Sequence, residues 1–184
     1  MANKIKQTQK ENLKEEQGRD LFQTPNYGTD LIVPFLPKGI VWECAAGNLK
    51  ISNRLEYHGR KVVSTDIQSG FNFLFDTPKF LFDMIVTNPP YSIKRKFYLK
   101  CLEHEVAFAL LIPADYSGWV IDAIRNDGCE KIIPTRRIDF ITPSGKSGLS
   151  GHTANYHSLW LTRGLGLGKS EVFVELTNEM KKNV

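Results

Sequence analysis

The chain has 184 residues, of which 41% are hydrophobic and 24% charged, a composition that excludes a disordered protein and fits one folded in water. Its 24 Lys and Arg against 20 Asp and Glu leave a net charge of +4, an excess compatible with a phosphate-bearing partner but too mild to establish one. The longest apolar run, 106–112, is far too short to span a bilayer, and the lysine-rich N-terminus lacks the apolar stretch of a signal peptide, so the cytoplasm is the expected location.

Residues 1–19 are almost entirely Lys, Glu, Gln and Asn and are read as a polar arm, with a single domain expected over 20–184. Segments of strand character recur at 40–43, 61–66, 82–88, 106–113, 131–134 and 156–162. Between most of them lie stretches with helical spacing. The segment 48–59 places Leu49, Ile51 and Leu55 on one side, 92–104 carries Ile93, Phe97, Leu99 and Leu102, and 118–128 carries Val120, Ile121 and Ile124. Strands alternating with helices, several apolar on both faces, predict a doubly wound α/β domain with a largely parallel sheet. The stretch 143–155 is rich in Gly and Ser and is expected to be a mobile loop, of a length that often serves function. Cys44, Cys101 and Cys129 are widely spaced and form no C-x-x-C pair, so buried thiols are expected and neither a disulfide framework nor a metal site is suggested.

In open parallel sheets ligands bind beyond the carboxyl ends of the strands, where the strand order reverses. The first strand ends in Glu43 and is followed by Ala45, Ala46 and Gly47, small residues that let a ligand approach the backbone. The second runs into Asp66, whose carboxylate can accept both hydroxyl protons of a ribose. The third stops at Asn88-Pro89-Pro90-Tyr91. Neither proline has an N–H for a sheet ladder, and a residue before proline is held extended. The result is a stiff turn offering an amide oxygen and a proline carbonyl beside an aromatic ring. Such a surface suits a flat group bearing an NH₂, either a base amine or a carboxamide. Its nitrogen is a poor nucleophile, because the lone pair is delocalised, and two acceptors on its hydrogens favour the pyramidal form reached in a transition state.

At these residues the sequence resembles the S-adenosylmethionine-dependent amino-methyltransferases, and within them the adenine-N6 DNA methyltransferases, including short phage-encoded ones. The similarity covers about residues 20 to 162. It implies a Rossmann-like class I methyltransferase fold with a seven-stranded, mostly parallel sheet and helices on both faces. "NYHSLWL" would supply the late antiparallel strand. The resemblance also implies that Asn88 and the Pro89 carbonyl hold the target amine, with Pro90 completing the motif and Tyr91 stacking on the base. "WECAAGN" resembles the segment around the methionine part of the donor, so Glu43, Ala45 and Gly47 are expected contacts. Asp66 and Ile67 match the ribose segment, Asn72 and Phe73 the adenine segment, and Thr24 and Pro25 a site near the donor carboxylate.

The sequence departs from that family in three ways. Leu49 stands where a glycine is usual, Asn72 stands where an aspartate is usual, and no segment matches the extra domain with which many relatives read sequence. Protein-glutamine methyltransferases and some RNA adenine methyltransferases carry the same four-residue motif, and a non-catalytic binder of the donor is also compatible with it. Lys94, Arg95 and Lys96, interleaved with Tyr91, Phe97 and Tyr98, favour nucleic acid, and DNA is the expected partner. Arg136, Arg137, Lys146 and His152 form a second candidate patch for it.

Overall fold

A computed structural model describes residues 20–142 and 156–182. Seven strands form one sheet: β1 (Ile40–Glu43), β2 (Lys61–Ser64), β3 (Met84–Thr87), β4 (Ala107–Pro113), β5 (Glu130–Pro134), β6 (Ser158–Arg163) and β7 (Glu171–Val174). Their order is β2-β1-β3-β4-β6-β5-β7. β1 lies parallel to both β2 and β3, β3 parallel to β4, and β5 parallel to β7, while β6 runs antiparallel between β4 and β5. The sheet is therefore mixed, with its reversed strand in the segment where it was expected.

Side-chain alternation along the strands builds a core on each face. On one face Val41, Met84, Val86, Ala109, Leu111 and Trp160 pack with α1 (Asn26–Asp30) and α2 (Lys50–Tyr57), which contribute Tyr27, Ile51 and Leu55. On the other, Trp42, Ile85, Phe108, Leu110 and Leu161 pack with α3 (Lys94–Glu103) and α4 (Gly118–Asn126), which contribute Phe97, Tyr98 and Val120. Consecutive residues of β1, Val41 and Trp42, thus anchor opposite cores, and both are fully buried. All three cysteines are buried free thiols.

The helix faces are narrower than the sequence spacing predicts. Leu99 and Ile121, expected on apolar stripes, are exposed, because α3 turns Phe97, Tyr98 and Cys101 inward and α4 turns Val120 and Ala123 inward. Leu49 is not helical. It sits at φ +60°, in the left-handed region, and is exposed. Between β2 and β3 there is no α-helix; instead Phe71, Phe73, Phe80 and Phe82 surround Trp42, with ring centroids 4.7 to 5.8 Å from the indole. Two elements carried no clear signal, the five-residue α1 and the edge strand β7, and both are short.

From β1 the chain passes to β2 on one side, and from there to β3 on the other. The switch point lies between β1 and β3. It brings the carboxyl ends of three strands to one edge, as a doubly wound sheet requires of its ligand site.

Candidate active site

At that edge is a cavity of about 240 Å³, walled by the segment from Asp20 to Thr24 and by residues beyond the ends of β1, β2 and β3. It is smaller than the roughly 300–1,000 Å³ of sites that engulf a whole small ligand, so it would enclose part of one.

Glu43 ends β1 with a side chain only 2% exposed, on the cavity wall. Its Oε2 accepts the backbone N–H of Ser52 at 2.7 Å and also the Ser52 hydroxyl, which in turn lies 2.6 Å from the Ser64 hydroxyl. Burial pushes the Glu43 carboxyl up to about 8, against the lowering effect of the Ser52 hydrogen bonds, and the nearby Asp66 charge raises it further.

The chain then turns sharply. Ala46 N–H donates to the Thr65 carbonyl at 3.0 Å, Gly47 N–H to Asp66 Oδ2 at 2.9 Å, and Leu49 N–H to the Ala46 carbonyl at 2.7 Å. Gly47 has φ +47°, and a Cβ there would lie 3.0 Å from Gln23 Nε2, so the position needs glycine for both backbone and space. Gln23 Oε1 accepts the Asn48 N–H at 3.2 Å, and Gln23 itself is held by a two-way backbone bridge to Ile141. Asp66 accepts the Gln68 N–H through its other oxygen at 2.9 Å. Each carboxylate oxygen still keeps a second lone pair for a hydroxyl.

The proline turn closes the third side. Asn88 and Pro90 line the cavity, while Pro89 is buried behind them. Asn88 Oδ1 is buried and has no hydrogen-bond partner, and the same is true of Thr24 Oγ1 on the facing segment. The Pro90 carbonyl accepts the Ile93 N–H at 3.0 Å, whereas among the described residues no hydrogen bond is made to the Pro89 carbonyl. Buried polar atoms are nearly always paired. Both residues line the cavity, although the two unpaired oxygens themselves are almost fully shielded, as are unpaired atoms elsewhere, such as Thr29 Oγ1 and Thr87 Oγ1.

Tyr91 does not line this cavity. It lines an adjoining open groove of about 490 Å³ with Ile93, Lys94, Arg95, Lys96, Leu99 and Trp119. Its ring meets Phe140 and Tyr156 edge-on, at 6.2 and 5.8 Å, and burial drives its phenol well above the usual range.

The structure thus brings Thr24, Glu43, Ala45, Gly47, Asp66, Ile67, Asn88 and Pro90 around one cavity. Pro25 stands just behind it as the residue before α1, with its carbonyl accepting the Gly28 N–H at 2.9 Å. Asn72 and Phe73 are not part of the wall. Phe73 is 2% exposed and packs against Trp42 and Phe97, and the Asn72 amide oxygen accepts the Leu74 N–H at 3.0 Å, so the aromatic cluster and a local turn occupy both side chains. Of the basic residues, Lys94 pairs with Asp115 at 3.6 Å, while Arg95 and Lys96 are exposed beside the groove. Arg136 and Arg137 are exposed beyond β5 and line neither space; Arg136 donates to Asn178 Oδ1 at 3.2 Å. Lys146 and His152 lie outside the described residues.

Sequence reasoning missed Asp20, Gln23, Lys50 and Ser52. Gln23 was in view next to Thr24, but the roles of Asp20 and Ser52 depend on contacts to Ser92 and Glu43 that leave no trace in local spacing.

This architecture is the Rossmann-like fold of methyltransferases, with a mixed seven-stranded sheet. Solved structures share it, among them the following two. One, described as a candidate RNA methyltransferase from Pyrococcus horikoshii, aligns with a TM-score of 0.52 and 14% identity over 77% of this chain and 84% of its own. The other, a type I restriction-modification system methyltransferase subunit from Streptococcus thermophilus, aligns with a TM-score of 0.57 and 13% identity over 88% of this chain; the match spans 52% of that subunit. No protein-family profile matches the sequence, and no curated protein is similar to it.

Proposed function

We propose that the protein is an adenine-specific DNA methyltransferase, whose 20–184 domain carries a methyl group from S-adenosylmethionine to the exocyclic amine of adenine. The observation that carries this reading is Asn88, which lines the cavity shared with Glu43 and Asp66 and whose buried Oδ1 has no hydrogen-bond partner among the described residues.

The cavity fits that donor in part. Asp66 suits its ribose hydroxyls, the carboxyl oxygen of Glu43 can accept an N–H of its ammonium, and Thr24 with Lys50 suits its carboxylate. Gly47 leaves the backbone open to close approach. Ile67, 66% exposed at the margin, offers an apolar surface for a purine outside the enclosed volume. Bound there, the donor supplies a methyl group already activated by a positively charged sulfur.

The protein's own work is to hold and orient the amine. Adenine's two N–H groups would donate to Asn88 Oδ1 and the Pro89 carbonyl, drawing the nitrogen toward the pyramidal geometry in which its lone pair is available. The rigid backbone on either side limits reorganisation, so positioning does most of the catalysis. Tyr91, on the groove side of the same turn, would stack on the base once it leaves its duplex neighbours. Exposed Arg95 and Lys96 favour a phosphate-bearing substrate over a glutamine side chain, and RNA adenine would satisfy the same contacts as DNA.

The test is to incubate the protein with donor labelled in its methyl group and, separately, adenine-containing DNA, RNA and cell-extract protein. Label should enter DNA and should fall by about 100-fold or more with Asn88→Ala, the scale of losing an aligned catalytic hydrogen-bond partner. Label on RNA or on protein alone would redirect the reading to that substrate. Donor binding without any transfer would make the protein a binding module.

A further inference from the structure

The groove on the far side of the turn holds a residue to which the reading above gives no role. Trp119, the second residue of α4, lines it together with Tyr91, with Leu99 and Ile93 supplying apolar surface. Leu99 is 47% exposed, an apolar side chain on α3 that the core does not use. Trp119 is half-buried, and its ring is backed by Tyr98 at 5.2 Å and 43°. Tyr98 is buried, with its hydroxyl held by Asp127. The indole therefore has one face supported from within and stands at the wall of an open space.

The charges around this space are arranged by sign. Lys94 is paired with Asp115, but among the described residues Arg95 and Lys96 make no ion pair and project from the first turn of α3. A half-buried indole, apolar surface beside it and free cations at the rim match an unpaired nucleic-acid strand, which combines flat bases with a phosphate track. The groove volume of about 490 Å³ falls within the range of small-ligand sites and is open enough for a chain to pass through.

We infer that Trp119 is a stacking platform for a nucleobase neighbouring the target, and that the strand lies unpaired along the groove between Trp119 and Tyr91, its phosphates on Arg95 and Lys96. This inference rests on the reading of the Asn88 turn as an amine-binding site, because that turn separates the groove from the cavity. It adds the form of the substrate: a single-stranded or locally opened segment, read by stacking.

The protein carries its own reporter. Of its three tryptophans, Trp42 and Trp160 are fully buried, so a stacking ligand can reach Trp119 alone. Addition of a short adenine-containing single-stranded oligodeoxynucleotide should quench tryptophan emission in step with its binding measured by fluorescence anisotropy. An RNA of the same sequence tests whether the sugar matters, a fully paired duplex should bind more weakly, and polyglutamate should not quench. Trp119→Ala should weaken oligonucleotide binding at least about fivefold, the low end for loss of one stacked base. Trp119→Phe should keep most of the affinity while abolishing the quench. Removing Arg95 and Lys96 together should lower the slope of log affinity against log salt by about 1 to 2.

The inference is overturned if the wild-type protein binds no oligonucleotide, if it binds one without change in emission, if Trp119→Ala binds as tightly, or if polyglutamate quenches equally. These readouts need neither donor nor turnover. A failure of methyl transfer with quenching intact would count against the proposed reaction and not against the platform.

Discussion

Asp20 accepts both the backbone N–H of Ser92, at 3.2 Å, and its hydroxyl, at 2.5 Å, linking the segment that walls the cavity to the turn that follows Tyr91. The two residues are 72 positions apart, so the contact fixes one half of the site against the other.

Asp20→Ala should therefore loosen the turn rather than unfold the protein. The expected result is a fall of about tenfold in the rate at saturating donor, consistent with misplacing a reacting group, with a much smaller change in melting temperature. Asp20→Asn keeps an acceptor for the Ser92 N–H and should recover part of the rate. Equal rates in Asp20→Ala and wild type would separate this contact from catalysis.

Glu43 should make stability depend on pH in the unusual direction for a carboxylate. Its folded pKa, about 8, lies above its unfolded value, so the folded state retains the proton that the unfolded chain gives up. The stability it contributes is complete below the unfolded value and is lost as pH rises through the interval up to about 8. Chemical denaturation at pH 5 and pH 8 should show wild type losing a few kcal/mol relative to Glu43→Gln, which keeps an acceptor for Ser52 without the charge. A constant difference between the two proteins would mean that Glu43 is already ionised in the fold.

Leu49 holds a left-handed backbone while 43% of its surface stays exposed, so its burial offsets only part of the backbone cost. A non-glycine residue in that region costs about 1–2 kcal/mol, and glycine gives back about 0.4–1 kcal/mol through greater unfolded-state freedom. Leu49→Gly should thus be stabilising by up to about 1 kcal/mol. A clear destabilisation in denaturant melts would show that the leucine side chain does more than its exposure indicates.

Gly47→Ala should do the reverse. The added methyl meets the Gln23 amide at 3.0 Å on a backbone that already has positive φ. Moving Gln23 aside would release the Asn48 N–H and narrow the cavity. Calorimetry should show donor affinity lowered at least about tenfold, or about 1.4 kcal/mol, with a melting temperature reduced by a few degrees.

Much of this protein is written in local sequence, because its signals are local. The apolar runs of β1, β3 and β4 are buried on both faces, and such runs are recognisable without knowing their neighbours. The Asn88-Pro89-Pro90-Tyr91 turn is equally legible, since two prolines end a strand whatever surrounds them. Edge strand β7 and the five-residue α1 were not legible; they are too short for a periodic pattern and exist because β5 and α2 give them partners. Pattern alone also put Leu99 and Ile121 inside, when a helix packed on a sheet buries a stripe narrower than its full apolar complement.

For the site, sequence alone determined which residues end the first three strands, and so named Glu43, Asp66 and Asn88 together. Only the tertiary structure decided which of their atoms are left free. That outcome depends on contacts made by residues far along the chain, as with Ser52 on Glu43 or Gly47 on Asp66, and no local pattern encodes them. The same long-range packing drew Phe73 into the core and turned Trp119 toward the groove, because burial is settled by the whole fold competing for each apolar surface.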